Sequence, residues 1–350
     1  MTSTEIEVHT SAQWNGQEHV WREYTARAGI SGVHCDPRWV LALRDGLRLE
    51  ACWVVAKQDE RVVGLLPLTL VKSLLFGRFL VSLPYVNWAG VIAEEEPVAR
   101  ALIDRAVELA DQWDVRYLEL RHETEYEHPA LTQKLTEKVH MRLPLESSEE
   151  SVWKQLKQVV RTQIRKGEKG GLAIDWGRHE LLRDFYRVFA HNMRDLGTPV
   201  YSRRLFSSIL DQFPGDAELC VVRLEGRPIA AAVAIHSHGI TEVPSASALR
   251  AYRATAANSL MYWRLVQRAI ERGQSVFDFG RSTLGGNTYT FKKKWGARPE
   301  PAVWQYYVRK GDVGDMRPDN KKYDRMIRIW QRLPVCLTRV VGPAIVRGIP

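Results

Sequence analysis

The chain has 350 residues, of which 45% are hydrophobic and 26% are charged. This composition excludes a disordered or collagen-like chain and is typical of a globular protein with about two domains. The formal net charge of +9 favours anionic partners, such as nucleic acid, a nucleotide-linked sugar or an acidic membrane face, without choosing among them.

Four cysteines are scattered along the chain without a CxxC pair: Cys35, Cys52, Cys220 and Cys336. This distribution predicts a reducing compartment and no disulfide framework. The ten histidines show no paired ligand spacing, so we expect no metal site. Because the first residues are polar and no apolar run reaches membrane-spanning length, we expect a cytoplasmic protein.

The first half opens with a hairpin signal, in which apolar runs at 51–56 and 62–71 flank a polar turn. An extended piece follows at 79–90. A helix is predicted from the acidic segment at 94–96 onward, with Pro97 in its first turn and apolar residues at helical spacing. A strand at 117–121 follows directly.

The second half repeats this order of elements. Strands are predicted at 218–223 and 229–235, followed by an extended piece at 242–248. A helix with Asn258 as its N-cap ends at Gly273, and a strand at 276–281 follows. The repetition predicts an α/β (α+β) fold of two tandem mixed-sheet domains.

A helical insert at about 150–214 separates the two copies. Apolar residues at helical spacing predict its first helix, which carries a second, basic stripe: Lys154, Lys157, Arg161 and Arg165. Two interpretations remain open for that stripe: a solvated face, or a fixed row of cations that contacts phosphate. Further helices are predicted at 180–196 and 204–213.

The segment 277–297 is the strongest functional candidate. It is predicted to leave the strand as a loop that contains Gly280, Gly285 and Gly286, and then aromatic residues and three lysines. Glycine allows close approach of the backbone to a ligand, cations bind anionic oxygen, and aromatic rings provide stacking surfaces. Asp278, among apolar neighbours, is a carboxylate whose pKa burial would perturb. The alternative is a glycine-rich surface loop with solvated lysines.

These segments together resemble a known family. The order of elements is similar to a duplicated GNAT fold, and the segments 161–166, 196–201 and 279–297 resemble FemAB-related proteins. The closest resemblance is to the branch associated with exosortase and PEP-CTERM surface-sorting gene sets. The segment 83–90 also fits that branch, although Ala89 stands where the branch more often has glycine, and so does the tail at 330–350.

The resemblance implies a transfer of an amino acid from an aminoacyl-tRNA ester to an amine of a cell-envelope precursor, without acetyl-CoA. Fem enzymes use a peptidoglycan precursor as acceptor; this branch lies beside exopolysaccharide and protein-sorting functions. By motif match, Phe291 and Lys292 would place the tRNA 3′ end, and Arg161 or Arg165 would bind the phosphates of an anionic precursor. The lysine that binds phosphate in the family's first domain has no counterpart here.

Aminolysis of an ester requires positioning and a donor to the oxyanion. We expect Lys292, Arg281 and the amides of Gly285 and Gly286 as donors. Asp278 either accepts the amine proton or is a structural partner of Arg281. Tyr201 and Tyr289 are further predicted substrate-binding residues. No Ser-His-Asp or Cys-His arrangement is evident, which disfavours a covalent acyl-enzyme.

Two other functions stay open. The first is an acyl-CoA- or carrier-dependent GNAT N-acyltransferase; against it, the segment 250–258 lacks the glycines that bring a backbone close to pyrophosphate. The second is a non-catalytic binding protein for an envelope polysaccharide intermediate. No cofactor is expected beyond aminoacyl-tRNA as a co-substrate.

The linear division of the chain is predicted as 1–148 for the first domain, 149–310 for the second and 311–350 for the tail. The tail is basic and apolar, and its segment 333–349 has no acidic residue. It either packs on the body as a clamp or contacts the inner face of the membrane peripherally.

Overall fold

The computed structural model describes residues 3–10, 13, 18–28, 36–73, 76–146, 148–316 and 323–350. Cys35 and residues 317–322 of the predicted tail lie outside these described residues. The chain divides into two units by contacts. Unit 1 comprises Met1–Lys138, Pro301–Asp324 and Ala344–Pro350, and unit 2 comprises Val139–Glu300 and Arg325–Pro343.

Unit 1 is built on a mixed sheet and three helices of the described chain. Its strands are β1 (Glu5–Thr10), β2 (Glu50–Gln58), β3 (Arg61–Ser73), β4 (Gly77–Val81), β5 (Ile92–Ala93), β6 (Tyr117–His122), β7 (Gln133–Leu135) and, from late in the chain, Val303–Val308. Its helices are α1 (Glu18–Arg27), α2 (Arg38–Leu47) and α3 (Glu96–Gln112). The predicted hairpin is confirmed as β2 and β3, and α3 packs on both strands through its buried apolar stripe.

The segment that follows β4 in unit 1 depends on one glycine. A Cβ at Gly90 would lie 2.1 Å from Cδ2 of His122, so only glycine fits. The adjacent Ala89 donates its backbone N–H to the carbonyl of Arg121, and the buried Glu119 carboxylate accepts from Arg121 at 2.7 Å. The extended piece predicted at 79–90 therefore lies against β6.

Unit 2 has a second mixed sheet and a larger set of helices. Its strands are β8 (Lys138–Pro144), β9 (Leu172–Gly177), β10 (Ala217–Leu224), β11 (Arg227–Ser237), β12 (Ile240–Ala248), β13 (Val276–Thr283) and β14 (Arg298–Pro301). The strand at Val303–Val308 is β15. The helices are α4 (Glu149–Gln155), α5 (Gln158–Lys169), α6 (Leu182–Leu196), α7 (Arg203–Gln212), α8 (Ala257–Glu271) and α9 (Asn287–Lys294). Two helices follow late in the chain, α10 (Asp324–Arg332) and α11 (Val335–Val346), and their residues 325–343 belong to unit 2.

The two sheets share an unusual feature, because one strand of each comes from the other half of the chain. The sheet of unit 1 has the order β1-β2-β3-β4-β6-β15-β7, with β5 beside β3. The sheet of unit 2 has the order β14-β8-β13-β12-β11-β10-β9. Thus β15 lies between β6 and β7, and β8 lies between β13 and β14. The predicted fold of two tandem mixed-sheet GNAT-like domains is confirmed, and this exchange of strands is an addition to it.

The structure corrects three predictions about unit 2. The single helix predicted through Trp153 and Ile164 is two helices, because Leu156 and Lys157 are extended and break it. The strand β9, which the prediction omitted, precedes α6. Helix α8 begins after Ala256, so Asn258 lies inside the helix and is not its N-cap. Within the described residues, no helix is both long enough and apolar enough to cross a membrane.

Candidate active site

The candidate site of unit 2 is a cleft at the end of strand β12. The parallel strands β12 and β13 pair from Ile240 and Val276 as far as Glu242 and Asp278, and both strands continue beyond that pair. Beyond this point the strands separate, and a cleft of about 1000 Å³ is lined by the end of β12 and by helices α5, α6, α8 and α9. The freed edge of β12 offers backbone groups to an extended ligand, as an edge strand does.

The rim of this cleft is cationic. Among the described residues that line it are Arg250, Arg253 and Lys294, and none of the lining residues is acidic. On the side of α6, Asn192 donates to the hydroxyl of Ser247 at 3.1 Å, which fixes one wall. The cleft therefore suits an anionic ligand, in agreement with the basic composition of the chain.

The start of α8 lies at the cleft but has few spare backbone donors. Ala256 precedes the helix with a positive φ of 59°, where a glycine would be less strained. The amides of Ser259 and Leu260 donate to the carbonyl of Ala256, and the amide of Ala257 donates to the hydroxyl of Thr255. A pyrophosphate at this helix end would meet a Cβ and amides that already have acceptors.

Helix α9 supplies the aromatic wall of the cleft. The loop predicted after β13 is wrong in one respect, because Asn287–Lys294 is helical. Phe291 and Lys294 therefore lie about one helical turn apart. Phe291 lines the cleft and contacts Tyr262 and Trp295, with ring centroids 5.5 and 6.1 Å apart. Trp295 is 1% exposed, lines the cleft, and its indole Nε1 has no hydrogen-bond acceptor among the described residues.

Lys292 lies on another side of α9 and is not among the residues that line the cleft. Its ammonium group is buried and donates to the carbonyl oxygens of Gly280 and Arg281, at 2.9 and 3.0 Å. Gly280 has a φ of +76°, which bends the backbone inside β13. The carbonyls that accept from Lys292 are at this bend. Burial lowers the pKa of Lys292 to about 8. The lysine therefore ties α9 to the end of β13.

Asp278 is fully buried on β13. Its carboxylate accepts from the amide of Gly280 at 2.6 Å and from Nε of Arg142 at 3.2 Å, and Arg142 also pairs with Glu300 at 2.6 Å. Burial raises the pKa of Asp278, and the nearby Arg142 opposes that effect. The structure thus gives Asp278 a partner that the sequence did not predict, Arg142 of strand β8.

Two further buried groups belong to this polar layer of unit 2. The strand register places Glu242 beside Asp278. His140 on β8 is buried, and desolvation together with nearby cations lowers its pKa to about 3, so the imidazole is neutral at pH 7. None of these groups lines the cleft, which gives the layer a supporting role.

The predicted donors at the end of β13 lie in different environments. Gly285 has a φ of +75° at an exposed turn, which favours glycine there. The amide of Gly286 already donates to the carbonyl of Thr283 at 3.0 Å, so it has an internal acceptor. Arg281 is half-buried, and Tyr289 lies against Lys293, whose Nζ is 5.6 Å from the ring centroid.

The two candidate arginines of α5 differ in their surroundings. Arg165 lines a second groove of about 580 Å³, together with Lys166, Lys169 and residues 254–255, and its guanidinium lies 5.6 Å from the ring centroid of Trp153. Arg161 is half-buried, donates to Gln158 and lines neither the cleft nor this groove. The groove is a cationic surface of the same unit.

Tyr201 lies in an aromatic cluster away from the residues that line the cleft. Its ring is stacked on Phe189 at 6.0 Å, and its carbonyl accepts from the hydroxyl of Tyr186. The site residues that sequence reasoning missed are Arg142, Asn192, Ser247 and Trp295. Only Trp295 gave a signal in the sequence, since it lies near the end of the segment 277–297. Among the described residues, no cluster of three or more His, Cys, Asp or Glu side chains is placed to hold a metal ion.

Comparison with known proteins supports the fold. Residues 154–293 match the acetyltransferase (GNAT) domain family, in agreement with the GNAT-like fold of unit 2. Among solved structures, the chain is similar to FemX, with 14% identity, a TM-score of 0.61, and coverage of 82% of this chain and 96% of FemX.

Two further structures have the same fold. The C-terminal domain (DUF2156) assigned to a lysylphosphatidylglycerol synthetase from Agrobacterium fabrum is 13% identical, with a TM-score of 0.57 and coverage of 85% and 93%. A tandem GNAT protein from the clavulanic acid biosynthesis pathway is 14% identical, with a TM-score of 0.52 and coverage of 88% and 100%. The curated proteins contain no significant sequence match.

Proposed function

We propose that this protein transfers an aminoacyl group from an aminoacyl-tRNA ester to an amine of an anionic cell-envelope precursor. The observation that carries the proposal is the cleft at the separation of β12 and β13, with its cationic rim and its wall of Phe291 and Trp295. An aminoacyl ester at a tRNA 3′ end combines an anionic backbone with a base that stacks on aromatic rings. The likeness to FemX supports the same chemistry.

In the proposed reaction the neutral amine attacks the carbonyl carbon of the ester. A C–N bond forms, the C–O bond to the ribose oxygen of the tRNA breaks, and the proton of the amine passes to the departing oxygen. The ester is already activated, so orientation of the two reactants supplies most of the acceleration. Lys294 and the indole N–H of Trp295, which line the cleft, are the donors assigned to the oxyanion.

Lys292 and Asp278 act in this proposal as positioning residues. Lys292 fixes α9, and therefore Phe291, through its two bonds to backbone carbonyls of β13. Asp278 fixes the same bend through the amide of Gly280. Neither residue lines the cleft, but both should affect the rate, because small displacements of the groups that they hold in place lower rates strongly.

The acceptor is proposed from charge and from the resemblance to the exosortase-associated branch. The groove that contains Arg165, Lys166 and Lys169 suits the phosphates of a nucleotide-linked or lipid-linked precursor, and it includes residues next to those at the rim of the cleft. We therefore propose an amine of a polysaccharide- or peptidoglycan-related precursor as the acceptor of the aminoacyl group.

A second candidate is an acyl-CoA-dependent N-acyltransferase. The match to the acetyltransferase (GNAT) domain family favours it, and Arg250 and Arg253 are suitable phosphate ligands. The internally bonded amides at the start of α8 weigh against it.

A binding experiment separates these functions. The purified full chain is titrated with aminoacyl-tRNA, deacylated tRNA and acetyl-CoA, and dissociation constants are measured by filter binding or tryptophan fluorescence. We expect aminoacyl-tRNA to bind at least about tenfold more tightly than acetyl-CoA, and Phe291→Ala to weaken that binding about tenfold because a base loses its stacking partner. The half-buried Tyr307→Ala of unit 1 is the matched control and should bind as the unaltered protein does. Tight binding of acetyl-CoA with weak binding of tRNA would establish the second candidate instead, and binding of neither would leave a non-catalytic binding protein.

A further inference from the structure

The outer faces of helices α10 and α11 expose an unusual concentration of large apolar side chains. Of the nine such exposed residues among the described residues, five lie here: Met326 (61% exposed), Ile329 (52%), Leu337 (44%), Val340 (76%) and Val341 (39%). Single exposed apolar residues are normal on a protein surface, but a cluster marks an interaction site.

The opposite faces of both helices are fixed to unit 2. Gln331 of α10 donates to the carbonyl of Asp195 at 3.2 Å, and Arg194 donates to the carbonyl of Leu333 at 3.1 Å. A Cβ at Gly342 of α11 would lie 2.9 Å from the backbone nitrogen of Val200, so this helix is packed closely there. Both helices therefore lie on the segment 194–200, and their apolar outer faces are held outward in a defined orientation.

Charge on the same helices selects the partner. Arg325, Arg328 and Arg332 of α10 are exposed, and none of them forms an ion pair with any residue that the structure describes. From residue 325 to residue 350 the sequence contains five arginines and no Asp or Glu. Asp324, at the first position of α10, is the one acidic residue of the two helices. Apolar side chains flanked mainly by cations suit a surface that is apolar beneath and anionic above.

A groove beside α11 adds an independent observation. It has a volume of about 360 Å³ and is lined by Arg203, Arg339, Ser202, Tyr186 and Val340, among others. The guanidinium of Arg339 lies 5.3 Å from the ring centroid of Tyr186. Two arginines and a hydroxyl thus meet the most exposed apolar side chain of this face, which is the arrangement that a phosphate headgroup and its acyl chain require.

We propose that the outer face of α10 and α11 docks unit 2 on an anionic phospholipid bilayer. The arginines contact headgroup phosphates, and the five apolar side chains enter the boundary between headgroups and acyl chains. A second copy of this chain is a poorer partner, because two faces that each carry a net positive charge would repel each other. This inference goes beyond the proposed transfer and stands without it.

Vesicle flotation of the full chain tests the proposal. Vesicles of phosphatidylcholine with about 30% phosphatidylglycerol should bind the protein, vesicles of phosphatidylcholine alone should bind it at least about tenfold less, and salt should weaken the binding. The variant R328Q/R332Q/R339Q should lower the partition coefficient about 100-fold, since each cation near an anionic surface contributes about fivefold. The variant I329S/V340S should lower it about tenfold or more.

Matched controls make the outcome specific. Arg100→Gln on α3 and Val20→Ser on α1 change exposed residues of the same types in unit 1, and both should bind as the unaltered protein does. All variants should keep the thermal midpoint, because the altered side chains are exposed. Equal binding to both kinds of vesicle, no effect of I329S/V340S, or full competition by millimolar glycerol 3-phosphate would overturn the proposal. So would a concentration-dependent dimer that I329S/V340S abolishes, since that assigns the face to self-association.

Discussion

Glu242 and Asp278 lie side by side and form the last pair between the parallel strands β12 and β13. Both carboxyl side chains are almost completely removed from water, at 1% and 0% exposure. Two adjacent buried carboxyl groups require cations or a shared proton, and Arg142 lies against one of them. The same pair marks the point where the strands separate, so the charged layer and the cleft have one structural origin.

Replacement of Arg142 should destabilise unit 2. Arg142→Met leaves Asp278 and Glu300 without their shared cation, and we expect the free energy of unfolding at pH 7 to fall by about 3–5 kcal/mol. The loss should be smaller at pH 5, because protonation of Asp278, whose pKa burial already raises, removes the buried charge. Urea unfolding at both pH values measures this. Arg227→Met, an exposed arginine of β11, is the control and should change stability by less than about 0.5 kcal/mol. A loss in R142M that is the same at pH 5 and pH 7 would contradict the role given to Asp278.

The depressed pKa of Lys292 predicts a pH-dependent stability. The folded pKa is about 8 and the unfolded pKa is about 10.5. Between these values the unfolded chain binds more protons than the native chain at this site, so stability rises as the pH increases from 8 to 10.5. The difference in unfolding free energy between the unaltered protein and Lys292→Met should therefore grow by about 2–3 kcal/mol over this range. Urea titrations at pH 7.5, 9 and 10.5 measure it, and the other titrating groups cancel in the difference. A difference that stays constant with pH would show that the buried amine keeps an ordinary pKa.

Trp295 offers a test of the oxyanion assignment. Trp295→Phe keeps the aromatic wall but removes an indole N–H that has no acceptor in the unliganded chain. We expect kcat/KM for aminoacyl transfer to fall about tenfold, with a thermal midpoint that is unchanged or higher because an unsatisfied buried donor is removed. Trp330→Phe on α10 is the matched control, since its Nε1 also lacks a partner among the described residues and lies outside the cleft. Equal activity of W295F and the unaltered enzyme would exclude the indole as a donor.

The two arginines of α5 should separate in binding assays. Arg165→Gln should raise the dissociation constant for tRNA or for an anionic precursor about five- to tenfold and lower the salt slope by about 1, because one phosphate contact is lost. Arg161→Gln should change the affinity less than about twofold, since Arg161 is half-buried and lines neither the groove nor the cleft. Titration at 50 and 200 mM salt gives both quantities. A larger loss of affinity in Arg161→Gln than in Arg165→Gln would show that the phosphate site lies on the other side of α5.

The repeated order of hairpin, helix and strand could be predicted because apolar periodicity records it locally. The involvement of Phe291 in a cleft also followed from the sequence, through its place in a segment rich in glycine, aromatic residues and lysine. The partner of Asp278 could not be predicted, because Arg142 is 136 residues away and reaches it only through the exchanged strand β8. The break between α4 and α5 at Leu156 could not be predicted from the sequence. Leu156 and Val160 both pack into the core, so the apolar residues keep helical spacing across the break.

The exchanged strands have a consequence for biosynthesis. The sheet of unit 1 lacks the strand between β6 and β7 until β15, Val303–Val308, has left the ribosome. During most of translation the nascent first half therefore presents an open β6 edge, which is the kind of surface that pairs with other chains. A chaperone that shields this edge, or a fast final closure, is required for good yield, and expression of the first 138 residues alone should give aggregates.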